Sequence, residues 1–313
     1  MASHGRCGQA FPILIVLALA VTLQTPCLAS ESRIVGGVPV DGSSTKHQVS
    51  VRSRSADQIQ FGRGHICGGS LINLDTVLTA AHCLVDDYDR ARAATYFRVV
   101  GGGINRTAQT VNTVVRDVRQ VVVHANYVSR GFINDVGLLM LSSSVPSGHP
   151  TLQPIAMTTQ VPPNNTRCQT SGWGSIYYNG PSSEVLLAVN ISIIAKATCN
   201  ALTSYGGSIG NGMLCAGDMA GGLDACQGDS GGPLVCNGVL VGVVSHGVEC
   251  ARARYPGVYA DVAYYRSWVG MNHSAIAPRP PGGNGRGPPL LTGSLALLLT
   301  VVGIALHQQF SQQ

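Results

Sequence analysis

Between Ile34 and about Asn272 the apolar residues fall in short runs, such as Gln48-Val49-Ser50-Val51, Val111 to Val123 and Leu240 to Ser245. Turns rich in Gly, Asn and Ser separate them, and runs of this length and punctuation predict β-strands. Long amphipathic helical patterns are absent, with one exception. From Val262 to Met271 the apolar positions recur at roughly helical spacing, which predicts a closing C-terminal helix. The pattern predicts an all-β chain with little helix.

Both ends depart from this pattern. A weakly basic start (His4, Arg6), an apolar run from Phe11 to Leu23 and a small-residue stop at Cys27-Leu28-Ala29 read as a secretory signal peptide over residues 1–29. A membrane anchor or a buried core helix would call for a longer run without the cleavage-like stop. Residues 273–289 are rich in Pro, Gly, Asn and Arg, which bury too little apolar surface to offset ordering, so an extended linker is expected. Residues 290–306 form a second hydrophobic segment, and its seventeen residues reach only the lower limit for spanning a bilayer. A removable GPI signal, with attachment among Gly282 to Gly285, competes with a plain transmembrane anchor. The short spacer and the polar tail 307–313 weigh against the first, and the lack of any following Lys or Arg weighs against the second. An apolar extension that docks on a partner is the remaining reading.

The signal-peptide reading sets aside Cys7 and Cys27 and leaves Cys67, Cys83, Cys168, Cys199, Cys215, Cys226, Cys236 and Cys250. An even set in an exported chain allows four disulfides. No CxxC pair occurs, so a structural zinc is not expected. The net charge of +5 comes from scattered arginines such as Arg52, Arg54, Arg63, Arg116 and Arg119 rather than from a basic run, which argues against a nucleic-acid partner. The length left after the leader fits one β-rich domain.

Three segments carry candidate chemistry, in this order: Leu78-Thr79-Ala80-Ala81-His82-Cys83, Asn134-Asp135-Val136-Gly137-Leu138-Leu139, and Gly228-Asp229-Ser230-Gly231-Gly232-Pro233. Each alone is modest evidence, but together and in order they are highly specific. With Ile34-Val35-Gly36-Gly37 and Cys168-Gln169-Thr170-Ser171-Gly172-Trp173-Gly174, the chain resembles trypsin-like serine proteases of the chymotrypsin family over essentially all of residues 34–272. The resemblance implies two six-stranded antiparallel β-barrels with the active site between them and a serine endopeptidase, secreted as the leader suggests or tethered to the outer cell surface by the C-terminal segment; no cofactor is expected. It also implies protein or peptide substrates, activation by another protease or by self-cleavage, and susceptibility to protein inhibitors.

The chemistry explains the residue types. A serine hydroxyl is a poor nucleophile at neutral pH, so an imidazole must take its proton and later pass it to the leaving amine. Ser230 and His82 fit those roles, and Asp135 fits the carboxylate that orients and stabilises the imidazole. The resemblance assigns the oxyanion hole to the backbone amides of Gly228 and Ser230. It assigns activation to cleavage at Arg33-Ile34, which releases residues 30–33 and frees an Ile34 ammonium to pair with Asp229, a buried ion pair acting as a switch.

Asp224 matches the acid at the base of the primary pocket in trypsin-like relatives, which favours cleavage after Arg or Lys. Gly247 and Gly257 match glycines that keep that pocket open, and Ser245 matches a residue that lines its entrance and supports the catalytic Asp. Two positions depart from the pattern. His246 stands where most relatives carry Trp, shrinking the apolar surface and adding a group that titrates near neutrality. Glu249 stands where trypsins commonly carry Gly, either attracting an incoming Arg or crowding the entrance while pairing with Arg252 or Arg254. These departures leave a non-catalytic homologue, acting as a binding module or cofactor, as the alternative function.

The resemblance further implies the disulfides Cys67–Cys83, Cys168–Cys236, Cys199–Cys215 and Cys226–Cys250. The region matching the calcium loop of some trypsins, residues 102–116, has no Asp or Glu, so calcium is not expected there. Asn105, Asn164, Asn190 and Asn272 begin glycosylation sequons, Asn190 within a strand-like run that would hinder access.

Overall fold

The computed structural model describes residues 35–276. The expected signal peptide, Arg33, Ile34, residues 277–289 of the expected linker and the C-terminal hydrophobic segment lie outside the described residues, while residues 273–276, expected to be extended linker, are helical and continue the C-terminal helix.

Two antiparallel barrels make up the described residues. In the first, β2 (Gln48–Ser53), β3 (His65–Asn73), β4 (Thr76–Thr79), β7 (Gly137–Leu141), β6 (Val114–Val123) and β5 (Phe97–Gly101) close on one another in that spatial order. In the second, β8 (Arg167–Gly172) pairs on one side with β9 (Leu187–Ile194) and on the other with β11 (Pro233–Cys236). The ring is completed by β10 (Met213–Gly217), β13 (Gly257–Asp261) and β12 (Val239–His246), and a two-residue strand, β1 (Val38–Pro39), adds to β9. Closure leaves each barrel without an exposed edge of unpaired amides. Leu71, Phe97, Leu138, Leu139 and Met140 fill the first core, and Leu187, Ile191, Leu234, Val241 and Tyr259 fill the second.

The C-terminal helix, α3 (Val262–Ile276), runs past the expected Met271. Asp261 caps it, its Oδ1 accepting from the Ala263 and Tyr264 amides at 2.9 and 3.3 Å. Val262, Tyr265 and Val269 lie on one face at helical spacing and belong to a buried cluster that joins first-barrel residues to Leu240, Val243 and Ala260 of β12 and β13. Each such side chain contributes roughly 1.5–3 kcal/mol when buried, so α3 clamps the two barrels together. Two short helices, α1 (Arg54–Ile59) and α2 (Lys196–Cys199), have no periodic signature in the sequence.

All four disulfides are formed with the pairing the resemblance implies. The 102–116 region is held by a side-chain turn, in which Asn105 Oδ1 accepts from the Thr107 and Ala108 amides. It is held also by Arg106, which donates to the carbonyls of Gly62 and Ser183.

Candidate active site

The three residues expected to carry the chemistry come from both barrels and meet at one cleft. His82 lies in the single helical turn Ala81–Cys83 that follows β4, and the Cys67–Cys83 bond ties this turn to β3. Asp135 precedes β7, on a loop whose Phe132 and Asn134 both take left-handed backbone angles, φ +51° and +55°. Asn134 is fixed there by donating to Asn126 O and accepting from the Tyr265 hydroxyl of α3. Ser230 sits on the turn before β11. Its carbonyl accepts from the Gly68 amide at 2.8 Å, and Gly231, φ +78°, presses so closely on Thr79 and Gly68 that no side chain fits.

His82 Nδ1 lies 2.8 Å from Asp135 Oδ2, and the His82 backbone amide donates to Asp135 Oδ1 at 2.9 Å. The Ser245 hydroxyl donates to Asp135 Oδ2 at 2.6 Å. Burial works to raise the Asp135 carboxyl, but the His82 charge and the donors from His82 and Ser245 outweigh it and hold the group below its ordinary value. With Nδ1 committed to the carboxylate, Nε2 is the nitrogen left to act as a base. His82 and Ser230 line the same cleft, of about 330 Å³, without a direct hydrogen bond between them. Such contacts often tighten only when substrate arrives.

Gly228 has φ +96°, a conformation that favours glycine, and an added Cβ would press on Gly174. Neither the Gly228 nor the Ser230 amide donates to another group among the described residues, so both are available to a developing oxyanion. Asp229, between them, is buried and accepts from the Gly174 and Cys226 amides at 2.8 and 2.9 Å. Burial pushes its carboxyl up to about 6 against those two donors.

At the base of the cleft Asp224 is 3% exposed, and its oxygens accept from the Ala225 and Ala251 amides at 2.9 and 3.0 Å. Burial drives this carboxyl up to about 7, against the pull of those amides. Gly257 lies against it, and a Cβ there would stand 2.7 Å from Asp224 Oδ1. Gly247 is different: an added Cβ would meet nothing closer than 3.6 Å, so a side chain there would project into the open cleft.

The departures from pattern resolve in the cleft wall. His246 stacks on Phe132, ring centroids 4.6 Å apart and planes 10° from parallel, and Phe132 in turn sets its edge against His82. Because the Ser245 proton is committed to Asp135, the 3.1 Å contact of His246 Nδ1 with the Ser245 oxygen has the imidazole as donor. The expected titration near neutrality is not found: burial pushes His246 down to about 4, leaving it neutral in the working range. Glu249 adopts φ +62° and turns to Arg252, 3.2 Å away, rather than to Arg254. Phe132, Tyr178 and Gln227 also line the cleft and were not singled out in the sequence, where only the nearness of Phe132 to Asp135 pointed to it.

Beside His82, Cys67 and Cys83 are bonded to each other and offer no thiolate to a metal. A larger hollow, about 420 Å³, lies between residues 41–48 and 102–104 and holds none of the expected residues.

Comparison with known proteins matches residues 34–269 to the family model described as Trypsin. Trypsin zeta of Drosophila erecta is 37% identical over 282 residues, 86% of this chain and 98% of that protein. Trypsin eta of Drosophila melanogaster is 38% identical over 266 residues, 84% of this chain and 98% of its own length. Trypsin II-P29 of Gallus gallus is 38% identical over 260 residues, 83% of this chain and 96% of its own length.

Proposed function

Because this chain belongs to the trypsin family of serine endopeptidases, we propose that it cleaves protein or peptide substrates after Arg or Lys, outside the cell, once activated at Arg33-Ile34. The observation that carries the specificity is Asp224, a carboxylate buried at the base of the cleft that Ser230 and His82 line. A guanidinium or ammonium entering the cleft meets a charge that its site disfavours when empty, so pairing there rewards a basic side chain. The alternative of a non-catalytic homologue gains no support from the three relatives named above, each of which is called a trypsin.

In this mechanism Ser230 Oγ attacks the peptide carbonyl while His82 Nε2 takes its proton. Asp135 stabilises the imidazolium, and the Gly228 and Ser230 amides receive the oxyanion. His82 then protonates the departing amine, and water repeats the sequence on the acyl-enzyme. Ser245 positions Asp135, while Gly257 and Gly247 leave room for a long side chain.

Precursor activation fits the surroundings of the chain start. The Val35 carbonyl accepts from the Asp224 amide at 3.3 Å, and Gly36, φ +77°, packs against Leu223. On this reading the buried Asp229 carboxylate is the partner of the ammonium that cleavage would free. Four disulfides and a leader-like N-terminus support an extracellular setting. Asn164 and Asn190 are exposed sequons open to glycosylation. For Asn190 this reverses the expected hindrance, since its side of β9 faces solvent. Tethering rests on the 290–306 segment alone, because among the described residues no helix is long and apolar enough to cross a membrane.

The test uses full-length secreted protein cleaved at Arg33-Ile34, with Ser230→Ala as control, on matched peptides presenting Arg, Lys, Phe or Ala before the scissile bond. Turnover restricted to Arg and Lys and lost in the control is the expected result. Turnover of Phe or Ala peptides at comparable rates would overturn the specificity.

A further inference from the structure

One polar chain, buried at Ser50, Arg52 and Asp57 and half-buried at His65, links a surface segment to the oxyanion loop. Ser50 and Arg52 are both buried on one face of β2, two residues apart, and β2 pairs with β3 so that Arg52 lies opposite His65. Arg52 Nη1 donates to Asp57 Oδ1 at 2.8 Å, Nη2 to the Arg106 carbonyl at 2.9 Å, and Nε to Ser50 Oγ at 2.9 Å. Ser50 Oγ lies 2.8 Å from His65 Nδ1, and His65 Nε2 lies 3.1 Å from the Gly228 carbonyl.

The donor inventory fixes every proton in this chain. Arg52 has only donors, so Ser50 Oγ accepts from it; the Gly228 carbonyl can only accept, so His65 Nε2 carries a proton and, in the neutral ring, Nδ1 accepts from Ser50 Oγ. A neutral imidazole with Nδ1 accepting carries its proton on Nε2, which is the nitrogen that faces the Gly228 carbonyl. Burial and the Arg106 and Arg52 charges keep His65 neutral, down at about 3. Gly228 has no side chain to hold it, so its carbonyl anchor restricts the backbone rotation that also aims its amide into the cleft.

Resting on the protease reading above, we propose that Arg52 and Asp57 are positioning residues for the oxyanion hole, acting through Ser50 and His65 on Gly228. Asp57 is buried and also accepts from the Gly62 amide at 2.8 Å, so α1 and the loop after it are the outer anchor of the chain. The relay touches neither Asp224 nor the rest of the primary pocket, so it acts on the transition state rather than on side-chain binding.

The experiment compares Arg52→Met, Arg52→Lys and Ser50→Ala in the activated enzyme; Ser50→Ala leaves the Arg52–Asp57 pair intact and guards against a misfolded Arg52→Met. Removing an oxyanion donor outright costs about 10²–10³ in kcat, so a misaimed donor is expected to cost about tenfold. Arg52→Met and Ser50→Ala should each show that loss in kcat and in affinity for a peptidyl boronate, whose adduct on Ser230 uses the hole. KM and inhibition by an arylamidine, which fills only the primary pocket, should stay within about twofold. Arg52→Lys should recover part of the loss. Nitrogen-15 spectra of His65 should show the Nε2–H tautomer in the parent and its loss of dominance in both disruptive variants. An unchanged kcat, boronate and amidine affinities that fall together, or an Nδ1–H tautomer in the parent would each overturn the proposal. A parent enzyme without turnover would sink the protease reading, while the His65 spectra would still decide the relay.

Discussion

Replacing Asp224 by Asn separates what the carboxylate does for substrate from what it costs the empty enzyme. At pH 8 an ionised carboxyl in a site that pushes its titration from 3.8 to about 7 is disfavoured by about 4 kcal/mol. The sign follows from proton counts: between those values the folded state holds a proton that the unfolded state has lost, so stability falls as pH rises through that window. Asn carries no such charge, but it can accept only through its single oxygen, so one of the amides of Ala225 and Ala251 loses its acceptor, at about 1–3 kcal/mol. Asp224→Asn is therefore expected to be less stable than the parent by about 1–3 kcal/mol near pH 4 and more stable by a similar margin at pH 8, the two curves crossing between. Thermal unfolding of the activated, inhibitor-free enzyme at stepped pH reads this directly. On substrates, losing one partner of a buried charge pair costs about 2–5 kcal/mol, so kcat/KM for Arg peptides should fall about 30- to 5,000-fold while Phe peptides change little. A destabilisation constant across pH, or Arg turnover within about fivefold of the parent, would refute the argument that Asp224 is a buried charge awaiting its cation.

Gly257→Ala puts a methyl 2.7 Å from Asp224 Oδ1 and 3.1 Å from the Tyr259 ring, so kcat/KM for Arg peptides should drop by about 10- to 100-fold, as steady-state assays would show. Ser245→Ala removes the 2.6 Å donor to Asp135 and should cost about tenfold in kcat with KM little changed. Asp135 titrates below its ordinary 3.8, so the stability its partners add is present above that pH and lost as pH falls beneath it. Acid unfolding of Ser245→Ala should accordingly begin at a higher pH than in the parent. Glu249→Gly relieves a left-handed angle of +62° at the price of an exposed ion pair with Arg252, and should stabilise the fold by about 1 kcal/mol in a melting experiment.

How much of this could be read in the sequence depends on whether the information is local. His82, Asp135 and Ser230 each sit in a short motif, and the family resemblance that those motifs carry places them between two barrels, where His82 and Ser230 line one cleft and Asp135 is buried behind His82. The helix from Val262 announces itself by periodicity, and strands such as β2 and β12 by composition and turns. α1 has no such signal, because its six residues are held by Asp57 reaching the buried Arg52 rather than by an apolar face.

The cleft wall shows the same limit more sharply. From composition, exchanging an indole for the imidazole of His246 is a loss of apolar surface and a gain of a titrating group. In the folded chain the imidazole is stacked and neutral, because Phe132 turns back at φ +51° to cover it. That backbone angle is uncommon for a bulky side chain and has no local signature, so no reading of residue types could supply it. Glu249 follows the same logic: residue type leaves open whether it faces an incoming Arg or Arg252, and the left-handed angle at its own Cα accompanies the turn toward Arg252. The shape of the cleft wall therefore depends on how the chain turns at Phe132 and Glu249 as well as on which residues stand there.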